Sequence, residues 1–390
     1  MNLLVTVERR YKEYNNDFYV KGIEDNIFFK RYLTDFKKVY VVARVSKVNT
    51  YPIGFKKVNS NKIIFLPIYS EGYGILKLSV ISSIIKKTRN HDCKIIIRTP
   101  GLLAYSFSLY CFFLKAKFNL EVVTDPYEEA INSTRSSILN KVLGKVFPLI
   151  FKFQLKNCQF ASFVTKNSIQ DKYLTNYIES EKFNSSYSSI NLSDDFYREK
   201  NIEPRNIDDI NLLFVGVLDR DFKGLDIFLK ILHQLPKHYK AKVVGDGILL
   251  NSYKELAQTL EISDRTTFLG YISDEEEKQN IYFQSDIFVL TSRREGLPRV
   301  VIEAMANSLP CICSDVSGIR ELIPQNYIFP INNIELACQL IKRMTAEDML
   351  TQGKINFQTA KEYSISKIVP QRSHFYQKII FVDKAQKNDN

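Results

Sequence analysis

The chain is poor in the residues that build metal sites and disulfide frameworks. It has four histidines (His91, His233, His238, His374) and six cysteines (Cys93, Cys111, Cys158, Cys311, Cys313, Cys338). No second cysteine pair stands at zinc-ligand spacing, which argues against a structural zinc site. No framework spacing marks a stapled secreted domain either. Cys311 and Cys313 alternate along an apolar stretch and read as free, buried thiols in a reducing cytoplasm. No apolar run reaches the roughly 18 residues of a membrane span. The opening residues MNLLVTVE are too short and lack the basic start of a secretory signal, so they read as a first strand.

What is present is an ordinary globular composition, 45% hydrophobic and 25% charged, over 390 residues, long enough for two or three domains. The charge is uneven. Residues 1–200 hold 31 Lys/Arg against 18 Asp/Glu, a net of +13, whereas residues 201–390 hold 23 against 25. A first half so basic is suited to an anionic partner: a membrane leaflet, a polyphosphate lipid or nucleic acid. Within it, residues 136–156 (SSILNKVLGKVFPLIFKFQLK) are apolar and basic with no acid. They read either as a membrane-surface helix or as a core helix with exposed lysines, bent at Pro148.

Apolar runs alternate with amphipathic segments along both halves. Strands are expected at 3–7, 39–45, 62–66, 94–97, 120–124 and 160–165, and again at 211–215, 241–244, 267–269, 286–290, 310–313 and 326–329. Such alternation implies βαβ units and mostly parallel sheets. A polar stretch with Pro204, residues 194–208, is the natural linker. The fold class is therefore α/β, with two Rossmann-like doubly wound domains, residues 1–203 and 204–359. A helical segment follows from 360 to 390, kinked or broken at Pro370.

The most informative stretch is Glu295-Gly296-Leu297-Pro298-Arg299-Val300-Val301-Ile302-Glu303. It follows an apolar strand and opens a helix, with a carboxylate at each end. A helix N-terminus favours phosphate. A carboxylate about one turn in can accept two hydrogen bonds from a ribose diol, so the place suits a sugar nucleotide. Upstream, Gly216 ends a strand and Lys223-Gly224 opens a helix. A cation is unfavourable at that positive helix end unless an anion binds there; the alternative is an exposed loop lysine. Val243-Val244-Gly245-Asp246-Gly247 is a weak nucleotide signal and reads as close packing of a turn. Gly270 and Tyr271 end another strand, and Ser273 caps the helix after it. In the first half, Arg98-Thr99-Pro100-Gly101 and Thr124-Asp125-Pro126 are strand-end loops that would open toward a ligand crevice. Asp125 is either a polar site residue or a capping aspartate.

Residues 286–323, with Glu295 and Glu303 at Glu-x7-Glu spacing and Gly318-Ile319-Arg320-Glu321-Leu322-Ile323 at the end, resemble the retaining glycosyltransferases of family 4 (group 1). That resemblance implies the GT-B architecture, two Rossmann-like domains facing each other across a cleft, with the final helix crossing back to the first domain. It implies donor contacts from Gly216, Arg220, Lys223, Gly270, Tyr271, Glu295, Gly296, Leu297, Pro298 and Glu303. Glu295 and Lys223 would act at the reacting centre, Glu303 on the ribose, and Asp125 would be the nearest polar group where many members keep a histidine. Val217 replaces the arginine that commonly follows the donor-loop glycine, and Arg220 is the nearby substitute. No cofactor or metal is implied, and no Asp-x-Asp cluster sits at a strand end. The expected activity is retaining transfer from a nucleotide diphosphate sugar to a lipid-linked saccharide in capsule or O-antigen assembly. The expected setting is cytoplasmic and peripheral on an anionic inner leaflet, with no nucleic acid bound. The alternatives are a GT-B-like nucleotide-sugar epimerase and a non-catalytic assembly protein.

Overall fold

A computed structural model describes residues 1–21, 25–58, 60–69, 78–89, 93–131, 137–174, 181–200 and 209–388. The chain forms two compact units. One comprises Met1–Val164, Tyr173–Tyr187 and Pro370–Asn390; the other comprises Thr165–Lys172 and Ser188–Val369. The division expected at 203/204 lies outside the described residues; the grouping changes at Tyr187/Ser188.

The first unit's strands are β1 (Asn2–Tyr14), β2 (Asp17–Lys21), β3 (Val39–Lys47), β4 (Phe55–Lys57), β5 (Ile63–Tyr69), β6 (Cys93–Thr99), β7 (Asn119–Val122), β8 (Ala161–Phe163) and β9 (Ser185–Ser186). Strand β1 lies between β3 and β6 and is parallel to both; β5 extends one side and β7, β8 and β9 the other. Leu3, Leu4 and Val5 are fully buried, as a parallel strand covered on both faces requires. The sequence reading missed the antiparallel addition of β2 and β4. Its signal was Asn15-Asn16, both at positive φ (50° and 63°), which asparagine tolerates in a two-residue hairpin. The helices here are α1 (Asp25–Leu33), α2 (Leu78–Arg89), α3 (Leu102–Phe113), α4 (Pro126–Ile131) and α5 (Ser137–Asn157); α6 (Ser168–Tyr173) follows.

The second unit is a six-stranded sheet in the order β12-β11-β10-β13-β14-β15, every pair parallel. These strands are β10 (Ile210–Val215), β11 (Tyr239–Val244), β12 (Thr266–Gly270), β13 (Ile287–Leu290), β14 (Cys311–Ser314) and β15 (Ile328–Phe329). Its helices are α7 (Leu225–Gln234), α8 (Leu250–Thr259), α9 (Glu275–Gln284), α10 (Arg299–Met305), α11 (Ile334–Lys342) and α12 (Ala346–Lys361). Leu225, Phe228, Leu229 and Leu232 of α7 join Leu340 and Ile341 of α11 in the core beneath the sheet. Strand β10 has β11 on one side and β13 on the other. This is the switch in strand order beside which open α/β sheets bind ligands.

The last helix, α13 (Ile365–Asn388), runs through Pro370 without a break. A proline inside a helix costs about 3 kcal/mol, through the lost backbone hydrogen bond and the clash of its ring with the preceding turn, and burial of Ile368, Phe375, Tyr376 and Ile379 offsets it. From Pro370 onward it belongs to the first unit. There the Tyr376 hydroxyl donates to Glu121 Oε1 at 2.9 Å, beside the Tyr187 hydroxyl at 2.9 Å. Tyr32 of α1 donates to Glu121 Oε2 at 2.7 Å, and Arg98 pairs with the same oxygen. Burial alone would raise the Glu121 carboxyl, but Arg98, Tyr32, Arg31 and Tyr187 outweigh it and hold it below the ordinary carboxylate range.

Candidate functional site

The site is built at the carboxyl ends of β10, β11 and β13. After β10, Gly216 donates its N–H to Val244 O at 3.0 Å. Gly245, at φ +147°, sits where a Cβ would lie 1.8 Å from Gly216 O, and its N–H bonds Gly270 O at 2.8 Å. Gly247 similarly abuts Leu218. The Gly-x-Gly pair therefore lets the β11 turn close on the β10 loop, which is the packing role its weak motif implied. Gly216, Gly245 and Gly270 form a row across three strand ends, with Tyr271 exposed beside them.

The β10 loop closes in a 3₁₀ turn over Asp221–Lys223, and Gly224 (φ +71°) caps α7. A Cβ on Gly224 would lie 2.0 Å from Thr291 O, so the loop is seated against the end of β13. Thr291 Oγ1 bonds Gly224 O at 2.8 Å, and Arg293 N bonds Phe222 O at 2.7 Å. Arg293 also grips Asp226 with two nitrogens at 3.0 and 2.7 Å.

This seating brings Lys223 to Glu295 across 72 residues of chain. Its Nζ lies 2.6 Å from Glu295 Oε1, which also accepts from Ser292 Oγ at 2.8 Å. The side chains are 16% and 14% exposed, so water screens the pair only partly. The unfavourable cation at a helix N-terminus is thus balanced by the first glutamate of the motif. An ammonium has three donors, so Lys223 can hold Glu295 and still bond an anion.

Glu303, on α10, is held differently. Its Oε2 accepts from Lys278 Nζ at 2.5 Å and from the fully buried Tyr282 hydroxyl at 2.9 Å, both on α9. Burial, reinforced by the Glu303 charge, pushes the Tyr282 phenol well above its ordinary range, so it remains a donor. Between the glutamates, Pro298 caps α10 and Leu297 is buried. Gly318 (φ +71°) lets the loop after β14 reach Gly296: a Cβ there would lie 2.4 Å from Gly296 O. Glu321 accepts from the backbone N–H groups of Lys166, Asn167 and Ser168 at 2.7, 3.0 and 2.7 Å.

Of the residues singled out from the sequence, Gly216, Lys223 and Glu295 are thus brought together, and Gly296 is seated by Gly318. Arg220 is exposed at the edge of the loop. Asp125 belongs to the first unit and is a cap: it is 2% exposed, and its Oδ1 accepts from Tyr127 N and Tyr173 Oη, each at 2.7 Å. Both contacts are those of a capping aspartate, the alternative its strand-end position allowed. Sequence reasoning missed Ser292, Arg293, Lys278 and Tyr282. The two arginines before Glu295 were a visible signal; the i, i+4 pair on α9 carried none pointing to Glu303.

Residues 195–355 match the family of glycosyl transferases group 1. Protein CapJ of Staphylococcus aureus is 25% identical over 400 residues, covering 97% of each chain. The UDP-Gal:alpha-D-GlcNAc-diphosphoundecaprenol alpha-1,3-galactosyltransferase of Escherichia coli is 34% identical over 112 residues, 28% of each chain. Among solved structures, sucrose-phosphate synthase of Thermosynechococcus elongatus superposes with a TM-score of 0.68 at 15% identity, over 97% of this chain and 99% of that one, a likeness of fold.

Proposed function

Because the chain is a group 1 glycosyltransferase with the GT-B fold, we propose that it moves a sugar from a nucleotide diphosphate sugar to a lipid-linked saccharide, retaining the anomeric configuration and using no metal. The Lys223–Glu295 contact carries this reading. When the bond from the anomeric carbon to the diphosphate breaks, the electron pair leaves with the phosphate. Lys223 would meet that charge, and Glu295, fixed by Lys223 and Ser292, would hold donor sugar hydroxyls. Glu303, fixed by Lys278 and Tyr282, keeps Oε1 for a ribose diol. The lipid diphosphate acceptor is supported by the name of the Escherichia coli relative.

A panel of UDP-, GDP- and dTDP-sugars read by thermal shift tests the donor side, since a ligand of the native state raises its melting temperature. One nucleotide class should stabilise the chain equally with and without EDTA. Release of an epimerised nucleotide sugar in the absence of acceptor would overturn transfer. Glu303→Ala should weaken nucleotide binding by about 1.5–3 kcal/mol per lost charge-assisted hydrogen bond. Unchanged affinity in calorimetry on the folded variant would remove Glu303 from the ribose.

The acceptor's membrane is the second part of the proposal. Among the described residues no helix is long and apolar enough to cross a bilayer. Helix α5 buries Phe147, Phe151 and Leu155 on one face, and on the other it exposes Ile138 (78%), Val142, Val146 and Leu149 (65%) among Lys141, Lys145, Lys152 and Lys156. Phe112 at the end of α3 meets Phe153 of α5 at 5.2 Å, which joins exposed Leu109 and Phe113 to that face. Apolar and basic side chains interleaved on one surface suit an anionic leaflet, each lysine adding on the order of 1 kcal/mol. Co-sedimentation with vesicles should require anionic lipid, weaken with salt, and weaken when the four lysines become glutamine. Leu149→Ser should remove the part that salt does not. Equal binding to neutral vesicles, or none to either, would leave a soluble acceptor as the better reading.

A further inference from the structure

Lys223 and Glu295 sit on loops that follow different strands, and the sheet does not by itself fix one against the other. The β10–β13 ladder pairs Leu212 with Ile287 and Leu213 with Phe288, and it stops there. Both loop residues lie well beyond that pairing. Thr291 ties the first loop at its end, with Oγ1 on Gly224 O at 2.8 Å and on Lys223 O at 3.3 Å. One hydroxyl leaves the rest of the turn that carries Lys223 free to shift. A further connection is needed to hold an ammonium 2.6 Å from a carboxylate.

Arg293 makes that connection. Its backbone N–H donates to Phe222 O at 2.7 Å. Its Nη1 donates to Asp221 O at 2.5 Å and to Asp226 Oδ1 at 3.0 Å, and its Nη2 donates to Asp226 Oδ2 at 2.7 Å. Asp221 and Phe222 are the two residues of the 3₁₀ turn before Lys223, and Asp226 lies in the first turn of α7. The macrodipole favours an acid there, so the helix end itself anchors the fork. The two side chains are 22% and 25% exposed. On its own loop Arg293 follows Ser292, whose hydroxyl holds Glu295 Oε1 at 2.8 Å. None of the four bonds goes to Lys223 or Glu295. Arg293 belongs to the loop of the glutamate and clamps the turn of the lysine.

We propose that Arg293, with Asp226 as its anchor, is the positioning residue of the transfer step: it sets Lys223 Nζ against Glu295 Oε1. This rests on the transferase reading for the step, but not for the geometry. A planar fork on a carboxylate fixes orientation as well as distance, which a single point charge does not. Misplacing a group at a reacting centre by 1 Å costs up to about 100-fold in rate.

Two measurements on the full-length chain test it. In the first, Arg293→Gln should lower kcat per folded molecule by about tenfold or more, with donor Kd within about threefold of wild type. Arg293→Lys should recover only part of the rate, since an ammonium lacks the fork. In a Lys223→Ala background the same Arg293→Gln change should cost less than about threefold, because nothing remains to be positioned. A merely structural arginine would lower the melting temperature and leave kcat per folded molecule unchanged. That result, or a full effect without Lys223, overturns the proposal. The second measurement needs no substrate. The coupling between Lys223 and Glu295, taken from the unfolding of Lys223→Ala, Glu295→Gln and the double variant, should fall by about half or more once Arg293→Gln is added. Undiminished coupling overturns the positioning whatever the chain transfers. Normal turnover of Lys223→Ala counts against the reaction assigned to Lys223 and leaves the coupling result standing. Should Arg293→Gln not fold, Asp226→Asn carries both measurements with the same expected directions, and no change in either overturns the proposal.

Discussion

Lys223→Ala should lower turnover by about 100- to 1,000-fold, the range seen when one donor to a developing charge is removed, with little change in melting temperature. The ammonium is 2.6 Å from Glu295 and at the mouth of a loop whose backbone is fixed independently by Gly224, Thr291 and Arg293. Its removal leaves that scaffold in place. Two things change at the reacting centre. In the proposed reaction the departing diphosphate would lose its cation, and Glu295 would become an uncompensated negative charge beside it, with Ser292 as its remaining partner among the described residues. Because the interaction strengthens as the bond breaks, the loss should fall on kcat and kcat/KM together, with a smaller effect on donor Kd. Lys223→Arg should recover part of the rate. Normal turnover of Lys223→Ala on the true acceptor would return Lys223 to a loop residue whose partner is structural.

Glu121→Ala should be the most destabilising single change in the first unit, by about 3–5 kcal/mol, the cost of leaving one member of a buried ion pair alone. The carboxylate is 3% exposed, and its loss strands Arg98 and three buried tyrosine hydroxyls at once. The pH dependence follows from the direction of its shift. With the folded-state carboxyl below its unfolded value of about 4.3, the contribution is complete above that value. It is lost as pH falls through the depressed folded value. Denaturant unfolding of wild type and variant at pH 7 and pH 3 would show the difference narrowing in acid. A gap independent of pH would mean that Glu121 acts by shape alone.

Much of the second unit was legible in the sequence because parallel strands buried on both faces are continuous apolar runs. Residues 286–290 announced β13, and the glutamates flanking Gly-Leu-Pro marked the candidate site. The glycine row was legible only in part: Gly216 and Gly245 each signalled a turn, but their contact depends on the register between β10 and β11. Lys278 and Tyr282 were not legible, since their partner Glu303 is brought to them by packing of α9 against α10. The first unit was harder. Asp125 sits at a strand end whether it caps a helix or faces a ligand, and the sequence does not separate the two. Arg9 and Arg98 lie far from Phe28 in the chain, and only the fold brings their guanidinium carbons within 5.3 and 4.8 Å of its ring centre.

The Glu121 cluster also bears on how the chain is made. Its members come from Tyr32, Arg98, Tyr187 and Tyr376, so the segment that completes the first unit leaves the ribosome only after the whole of the second. Domains ordinarily mature in the order of synthesis. Here every residue of the second unit, through Val369, is translated before Tyr376 can reach its place. The amino-terminal sheet must wait, part-formed, with a buried acid and its arginine lacking one partner, while the later unit has all of its sequence. A chain stopped at Val369 should therefore keep a cooperative second unit and expose a protease-sensitive first one, the reverse of what an ordinary carboxyl-terminal truncation does.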